Sequence, residues 1–179
     1  KRAKKIIRSD EFYNIDKAEW ALNAFREVME FISVTYYPAA INFYPVESNL
    51  NKYRSWVSGD LLKAADDENV NIFIHVCQQL VFPDIDKEQP NLVGISIGTP
   101  LQLMSGMTFA KLIKKQYPNI HVTVGGNIVT RLKKEFAGKK EFFDQCIDSF
   151  ICYEGEHAVL ELVEALSGKR SMDDVANLT

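Results

Sequence analysis

The sequence lacks several features that define common classes of protein. No apolar run approaches the roughly 18 residues that span a bilayer, so no membrane partner is expected. Only three cysteines occur and none forms a C-x-x-C pair, which argues against a zinc ribbon or a thioredoxin-type redox motif. The 21 basic residues do not exceed the 24 acidic ones, so a nucleic-acid partner is not expected either.

Phosphate-binding signatures are also missing. The sequence contains no G-x-x-x-x-G-K-[ST] and no G-x-G-x-x-G, the motifs of P-loop and dinucleotide-binding folds. The basic cluster between Lys1 and Arg8 is not followed by an apolar segment, so it is not a signal peptide. A solvated helix start is favoured there over a basic arm for nucleic acid. Few, unpaired cysteines are typical of a reduced, cytoplasmic protein.

What the chain does have is the composition of a globular domain. It contains 179 residues, of which 46% are hydrophobic and 25% are charged. A chain of this size buries roughly 70% of its unfolded surface, so it does not require a disulfide or a metal for stability. Because it does not begin with Met, we expect it to be a fragment of a longer protein.

The first part of the chain, residues 1–68, is predicted to be a mainly helical N-terminal segment. Apolar residues at spacings of three and four predict a helix over 16–32, with Asp16 as N-cap and Glu19 completing a capping box. A second helix is predicted over 55–65. Between them, a short edge strand over 40–44 is limited by flanking prolines.

Residues 71–82 fit both a strand and a helix. Their length without a glycine favours a helix, which Pro83 is expected to end.

The second part, residues 69–179, alternates between strands and helices. We predict strands over 92–97, 120–124 and 147–152, and helices over 105–117, 130–136 and 157–166. This order predicts an α/β fold, an open, doubly wound (Rossmann-like, flavodoxin-like) parallel sheet with helices on both faces, preceded by the helical segment. The first strand is almost wholly apolar, as expected when both faces of a strand are buried.

Three glycine-containing loops follow the three predicted strands, over 96–100, 125–127 and 153–156. Ligands of such sheets bind beyond the carboxyl ends of the strands. Glycine lets a backbone approach a ligand closely, although tight turns alone also require glycine. Three such loops on one rim favour a ligand site there.

The runs V-G-I-S-I-G-T (93–99), V-G-G (124–126) and Y-E-G-E (153–156) resemble the cobalamin-binding domain of cobalamin-dependent radical SAM enzymes. The resemblance covers about 90–178. It implies a domain that binds cobalamin (vitamin B12) for methyl transfer or related radical chemistry. The partner is a downstream radical SAM domain of the same polypeptide, holding a 4Fe–4S cluster and S-adenosylmethionine. This chain has no C-x-x-x-C-x-x-C for such a cluster, so it is not expected to be an enzyme by itself.

The resemblance also implies a set of cofactor-binding residues. Ser and Thr would hydrogen-bond the nucleotide tail of cobalamin, the Gly-Gly pair would lie against the tail, and the third loop would form a wall. These residues are Ser96, Gly98, Thr99, Gly125, Gly126, Asn127, Glu154, Gly155 and Glu156. Gly98 stands where the family has a leucine.

Two departures from the family pattern leave alternatives open. The family's D-x-H-x-x-G is absent, so no histidine of this chain is expected to hold the lower face of cobalt. The first strand of the complete domain is expected to be missing upstream of Lys1. The alternatives are a degenerate scaffold or docking domain of the same fold, and a binder of another nucleotide-tailed ligand.

Several residues that resemble functional groups are better explained by structure. We expect packing for most of them and favourable placement at a helix N-terminus for the two glutamates and His157. These residues are His75, His121, His157, Cys152, Glu154, Glu156, Tyr36, Tyr37, Phe43 and Tyr44.

Overall fold

The structure, a computed structural model, describes residues 1–42 and 47–179. Its contacts form two compact units, Lys1–Lys52 and Tyr53–Thr179. The boundary expected from the sequence lies between residues 68 and 69. Helix 58–64 belongs with the second unit because it packs on a helix that follows the first strand of the parallel sheet.

The first unit contains helices α1 and α2 and a two-stranded antiparallel hairpin. The bounds are α1 Arg2–Ile7, α2 Ile15–Thr35, β1 Ala40–Asn42 and β2 Glu47–Asn49. The Ser33 hydroxyl of α2 accepts a hydrogen bond from the Ile41 N–H of β1 at 2.8 Å, which ties the helix to the hairpin. The predicted strand reached residue 44, and its last two positions, together with the expected packing of Phe43 and Tyr44, lie outside the described residues.

The N-terminus of α2 differs from the sequence prediction. Asn14 is the N-cap, and its side-chain oxygen accepts a hydrogen bond from the Lys17 N–H at 3.1 Å. The predicted capping box of Asp16 and Glu19 is therefore wrong, because Asp16 already lies within the first turn. An aspartate there still interacts favourably with the helix dipole. Among the described residues, no helix combines the length and apolarity needed to cross a membrane.

The second unit begins with three helical segments. They are α3 Ser58–Ala64, α4 Ile72–Val76 and α5 Phe82–Glu88, with a π-helical turn, Cys77–Val81, joining α4 to α5. The helix predicted over 71–82 is confirmed, but Pro83 does not end it. Pro83 lies in the first turn of α5, directly after the π-helical turn, and the helix continues through it to Glu88.

A three-stranded parallel sheet forms the centre of this unit, so the α/β class is confirmed. The strands are β3 Leu92–Ser96, β4 His121–Gly125 and β5 Ser149–Phe150, in the order β3-β4-β5. Leu92 pairs with His121, and Thr123 pairs with Ser149. The third strand is shorter than predicted. Beyond it, Ile151 makes a single antiparallel bridge to Leu178 near the C-terminus.

Helices connect and cover the strands. They are α6 Leu103–Gln116, α7 Asn127–Arg131, α8 Lys133–Ala137, α9 Lys140–Gln145 and α10 Gly155–Leu166. The helix predicted over 130–136 is two short helices interrupted at Leu132, and α9 was not predicted. α6 packs closely on the sheet because Gly106 has no side chain, since a Cβ there would lie 2.7 Å from Ile97 Cδ1.

The core of this unit lies between the sheet and its helices. Val122 and Val124 of β4 are completely buried, and Ala158 and Leu162 of α10 pack on Ile151. β3 differs from the prediction of burial on both faces, because Gly94 and Ser96 are exposed. One face of this edge strand is therefore open.

The three cysteines are free and buried, which confirms the structural interpretation of Cys152. Burial raises the pKa of the Cys77 thiol to about 11 and that of the Cys146 thiol to about 12, and it also raises the pKa of Cys152. These thiols are therefore poor nucleophiles at neutral pH.

Candidate functional site

A cavity of about 350 Å³ lies at the carboxyl ends of the three parallel strands, where the sheet meets the start of α10. This volume is at the lower end of the range for small-molecule sites. The lining is uncharged and consists of Gly94, Ile95, Ser96, Thr123, Val124, Gly125, Gly126, Ile151, Tyr153, Gly155 and Val159. The cavity occupies the rim at which the sequence predicts a ligand site.

Two glycines of the cavity are not required by the backbone. Neither Gly94 nor Gly155 has a positive φ. A Cβ at Gly155 would meet nothing within 4 Å, and one at Gly94 would meet only Thr123 Cγ2, at 3.8 Å. Both residues line the cavity, and side chains could start at either position without a collision at Cβ. Their absence keeps part of the cavity wall as bare backbone.

Gly126 is explained by the turn itself. Its φ is +104°, and a Cβ would lie 2.7 Å from the Ile97 carbonyl oxygen, so any other residue is strained and collides with backbone. Gly125 is intermediate, since a Cβ there would lie 3.4 Å from the Ile151 carbonyl oxygen. The requirement of a tight turn therefore accounts for Gly126 but not for Gly94 or Gly155.

The structure brings four of the nine predicted site residues to this cavity, namely Ser96, Gly125, Gly126 and Gly155. Gly98 and Thr99 do not line it, because both of their N–H groups donate to the side-chain oxygen of Gln102, at 2.8 and 3.2 Å. The Thr99 contact belongs to a capping box that opens the 3₁₀ turn Pro100–Gln102.

Three further predicted residues lie near the rim but outside the cavity lining. Asn127 is exposed and begins α7. Glu154 is the N-cap residue of α10 and Glu156 lies in its first turn, where carboxylates complement the helix dipole. Their placement agrees with the structural interpretation of the two glutamates.

Sequence reasoning missed seven lining residues: Gly94, Ile95, Thr123, Val124, Ile151, Tyr153 and Val159. Strand alternation is the signal that finds two of them. Gly94 precedes Ser96 by two positions and Thr123 precedes Gly125 by two, so each pair lies on one face of the sheet. Tyr153 belongs to the Y-E-G-E run but was not counted among the binding residues.

A row of hydrogen-bonded side chains runs along the same face of the sheet. Ser149 Oγ donates to Thr123 Oγ1 at 3.0 Å and lies 2.9 Å from His121 Nε2. Burial lowers the pKa of the His121 imidazole. The network gives His121 a hydrogen-bonded, structural position, as expected from the sequence.

Tyr153 has an unusual conformation at the end of the cavity. Its φ is +62°, which is unfavourable for a bulky residue. Its N–H donates to Thr130 Oγ1 at 2.8 Å, and its hydroxyl accepts a hydrogen bond from the Lys133 ammonium at 2.6 Å. That ammonium also lies 4.9 Å from the centre of the Tyr153 ring. The hydrogen bond to Tyr153 raises the pKa of Lys133.

A larger cavity, of about 540 Å³, lies at the opposite ends of the strands and includes Lys114, His121 and Asp148. Its charges are already paired, because the Lys114 ammonium donates to both Asp148 oxygens at 2.9 Å. Asp148 also accepts from the Val122 N–H at 2.7 Å. We favour the smaller cavity as the ligand site, since ligands of parallel α/β sheets bind at the carboxyl ends.

The cavity suits the nucleotide tail of cobalamin better than the whole cofactor. Bare backbone at Gly94 and Gly155 leaves room for a flat group, and Ser96 offers a hydroxyl. The corrin ring is too large for about 350 Å³. In the described part of the chain, none of the residues lining the cavity is a histidine, so they offer no imidazole to cobalt.

The chain is similar to an uncharacterized methyltransferase of Pyrococcus horikoshii. The two are 31% identical over 118 residues, which cover 64% of this chain and 25% of that protein. The chain thus corresponds to about a quarter of the length of this relative. No model of a protein family matches the chain. No solved structure matches it either.

Proposed function

We propose that this chain is a cofactor-binding domain that holds cobalamin for a downstream radical SAM domain of the same polypeptide. The bare-backbone wall at Gly94 and Gly155 carries the proposal, because the fold itself does not require glycine there. The similarity to a protein named as a methyltransferase supports methyl transfer as the reaction of the longer protein. When bound, cobalamin would supply a carrier for the methyl group, and a 4Fe–4S cluster with S-adenosylmethionine would belong to the downstream domain.

The residues of this chain would bind and orient the cofactor. The nucleotide tail would enter the cavity between the sheet and α10, with Ser96 as a hydrogen-bond partner and Gly125, Gly126 and Gly155 as backbone walls. The corrin ring, which is larger than the cavity, would not fit inside it.

We propose that the sheet belongs to an open, doubly wound, Rossmann-like fold in a cytoplasmic protein. Two contacts support helices on both faces. α6 approaches Ile95 and Ile97 through Gly106, whereas α10 packs on Ile151, which follows Phe150 of β5 and points to the face that includes Gly125. The free state of the cysteines supports a reducing compartment.

The first prediction tests the proposed cofactor. We expect saturable binding of hydroxocobalamin, measured by visible absorbance and by calorimetry. Gly94→Val should weaken binding roughly tenfold or more, since it fills the cavity with atoms that a bound tail needs to displace. Folding should be retained, because valine favours a strand and a Cβ has space there.

Gly59→Ala is the matched control for that substitution. Gly59 lies in α3, away from the cavity lining, and a Cβ there meets nothing within 4 Å. The Gly59→Ala variant should bind hydroxocobalamin with the same affinity as the unaltered chain. Absence of binding by the unaltered chain, or equal affinity in Gly94→Val, would contradict the proposal.

A degenerate scaffold of the same fold is the second candidate function. It is favoured by the backbone of Gly98 and Thr99, whose N–H groups are occupied by Gln102 rather than turned to the cavity. A scaffold domain would show no saturable change of hydroxocobalamin absorbance. The same titration therefore separates the two candidates.

A further inference from the structure

Tyr153 has a positive φ, a backbone conformation that is unfavourable for a tyrosine. Four residues other than glycine have a positive φ in the described part of the chain, and two of them are asparagines, which tolerate it. Tyr153 is the bulkiest of the four, and the residue is 59% exposed. Core packing therefore does not explain an aromatic residue at this position.

Neighbouring side chains hold Tyr153 in place. Thr130 accepts the hydrogen bond of its backbone N–H, and Lys133 contacts both its hydroxyl and its ring. Tyr153 lines the cavity, whereas Lys133 does not. The Lys133 ammonium therefore lies outside the lining of the cavity, to which Tyr153 belongs.

The wall near Tyr153 suits a flat group. Gly125 and Gly155 present backbone without side chains, and Tyr153 lines the same cavity. Planar rings pack favourably on aromatic side chains and on peptide planes. A charged or bulky group gains less there, because the lining is uncharged and shallow.

We propose that Tyr153 is a ligand-contact residue that packs against a planar heterocycle, the base of the nucleotide tail, and that Lys133 and Thr130 position it. The inference deepens the proposed function and rests on it for the identity of the base. The positive φ of Tyr153, its hydrogen bonds and its place in the cavity lining are observed independently of the identity of the base.

The second prediction tests this contact with two corrinoids, measured by visible absorbance. Hydroxocobalamin carries the base, and cobinamide lacks it. Tyr153→Gly should weaken hydroxocobalamin binding roughly tenfold, the usual scale of base stacking on an aromatic ring, and should leave cobinamide binding unchanged. Tyr153→Phe should retain most of the affinity, because it keeps the ring.

Positioning by Lys133 is tested with Lys133→Met, against Lys134→Met as the control on the same helix α8. Lys133→Met should weaken hydroxocobalamin binding by a smaller factor than Tyr153→Gly, and Lys134→Met should have no effect. The melting temperature of Tyr153→Gly should not fall, since glycine adopts a positive φ without strain. A purely structural tyrosine would give lower melting and equal loss for both corrinoids.

Each outcome decides between the inference and the proposed function. Equal hydroxocobalamin affinity in Tyr153→Gly and the unaltered chain overturns the inference alone. If the unaltered chain binds AMP or FMN but not hydroxocobalamin, the cobalamin proposal fails, and loss of that binding in Tyr153→Gly still supports the contact. Retention of AMP or FMN binding in this variant overturns the inference as well. If the unaltered chain binds none of the four probes, which are hydroxocobalamin, cobinamide, AMP and FMN, the inference and the proposed function are both overturned.

Discussion

Glycines around the parallel sheet fall into groups that tolerate substitution differently. Gly106 lets α6 approach Ile97, and Gly126 adopts a positive φ against the Ile97 backbone. Gly94 and Gly155 meet neither restriction. Glycines of the first group are explained by the fold, so only those of the second group carry information about a ligand.

The third prediction concerns the stability cost of a side chain at Gly126. Gly126→Ala should lower the free energy of unfolding by about 1 to 3 kcal/mol, because its φ of +104° disfavours alanine and the Cβ collides with the Ile97 carbonyl oxygen. Urea denaturation measures the change. Gly155→Ala, where a Cβ has free space, should not destabilise the fold. A loss as large at Gly155 would disprove this division of the glycines.

At the scale of elements, a buried polar residue joins three helices. Asn71 is completely buried, and its side-chain nitrogen donates to the Ala64 carbonyl of α3 at 2.8 Å and to Thr108 Oγ1 of α6 at 2.9 Å. Its side-chain oxygen caps α4 by accepting from the Phe73 N–H at 3.1 Å. One side chain therefore fixes the arrangement of these helices.

The fourth prediction tests this junction. Asn71→Ala should cost about 2 to 3 kcal/mol of unfolding free energy, since it removes a helix cap and the three hydrogen bonds of a fully buried side chain. Chemical denaturation followed by far-UV circular dichroism measures the loss. Asn69→Ala, at an exposed position two residues earlier, should change stability by less than about 0.5 kcal/mol. Similar losses in both variants would show that the junction contributes little.

Elements with a clear hydrophobic period were predicted well from the sequence. Strands β3 and β4 and helices α2, α6 and α10 lie within a few residues of their predicted positions. Their signals are local, because each has a regular hydrophobic period in its own sequence.

The segments that differed depend on tertiary contacts. The π-helical turn before Pro83 carries the helix through a residue that usually ends one. The helices between β4 and β5 are too short for a period to emerge. β5 is also shorter than predicted, and the residue after it, Ile151, pairs with Leu178, far along the sequence.

The sequence predicts where the candidate site lies on the sheet, but not which residues line it. Glycine-containing loops at strand ends indicate where a ligand binds, since parallel strands bring their carboxyl ends together. Which loop residues face the cavity depends on side-chain contacts that sequence patterns do not reveal. Gln102, for example, occupies the N–H groups of Gly98 and Thr99.

At the scale of the whole molecule, the buried surroundings of His121 link stability to pH. Burial lowers the pKa of its imidazole below the usual 6.5, Asp148 opposes this shift and Lys114 adds to it. The folded state therefore favours the neutral ring, while the unfolded state binds a proton at pH values just below 6.5. The free energy of unfolding should fall as pH is lowered through this window.

The fifth prediction is that His121→Gln makes stability less dependent on pH. Urea unfolding measured from about pH 7 to about pH 5 should show a smaller fall than in the unaltered chain. His157→Gln, at an exposed position, is the matched control and should keep the original slope. An unchanged slope in His121→Gln would assign the pH dependence to other groups.

The order of the parallel strands has a consequence for synthesis on the ribosome. β3, β4 and β5 are neighbours in the sheet in the same order as in the chain. Each strand can therefore join an edge that has already emerged, and no later strand has to insert between two earlier ones. The last pairing, between Ile151 and Leu178, closes only when the C-terminal residues have left the exit tunnel. Translation thus supplies the strands in the same order as the one in which the sheet can assemble.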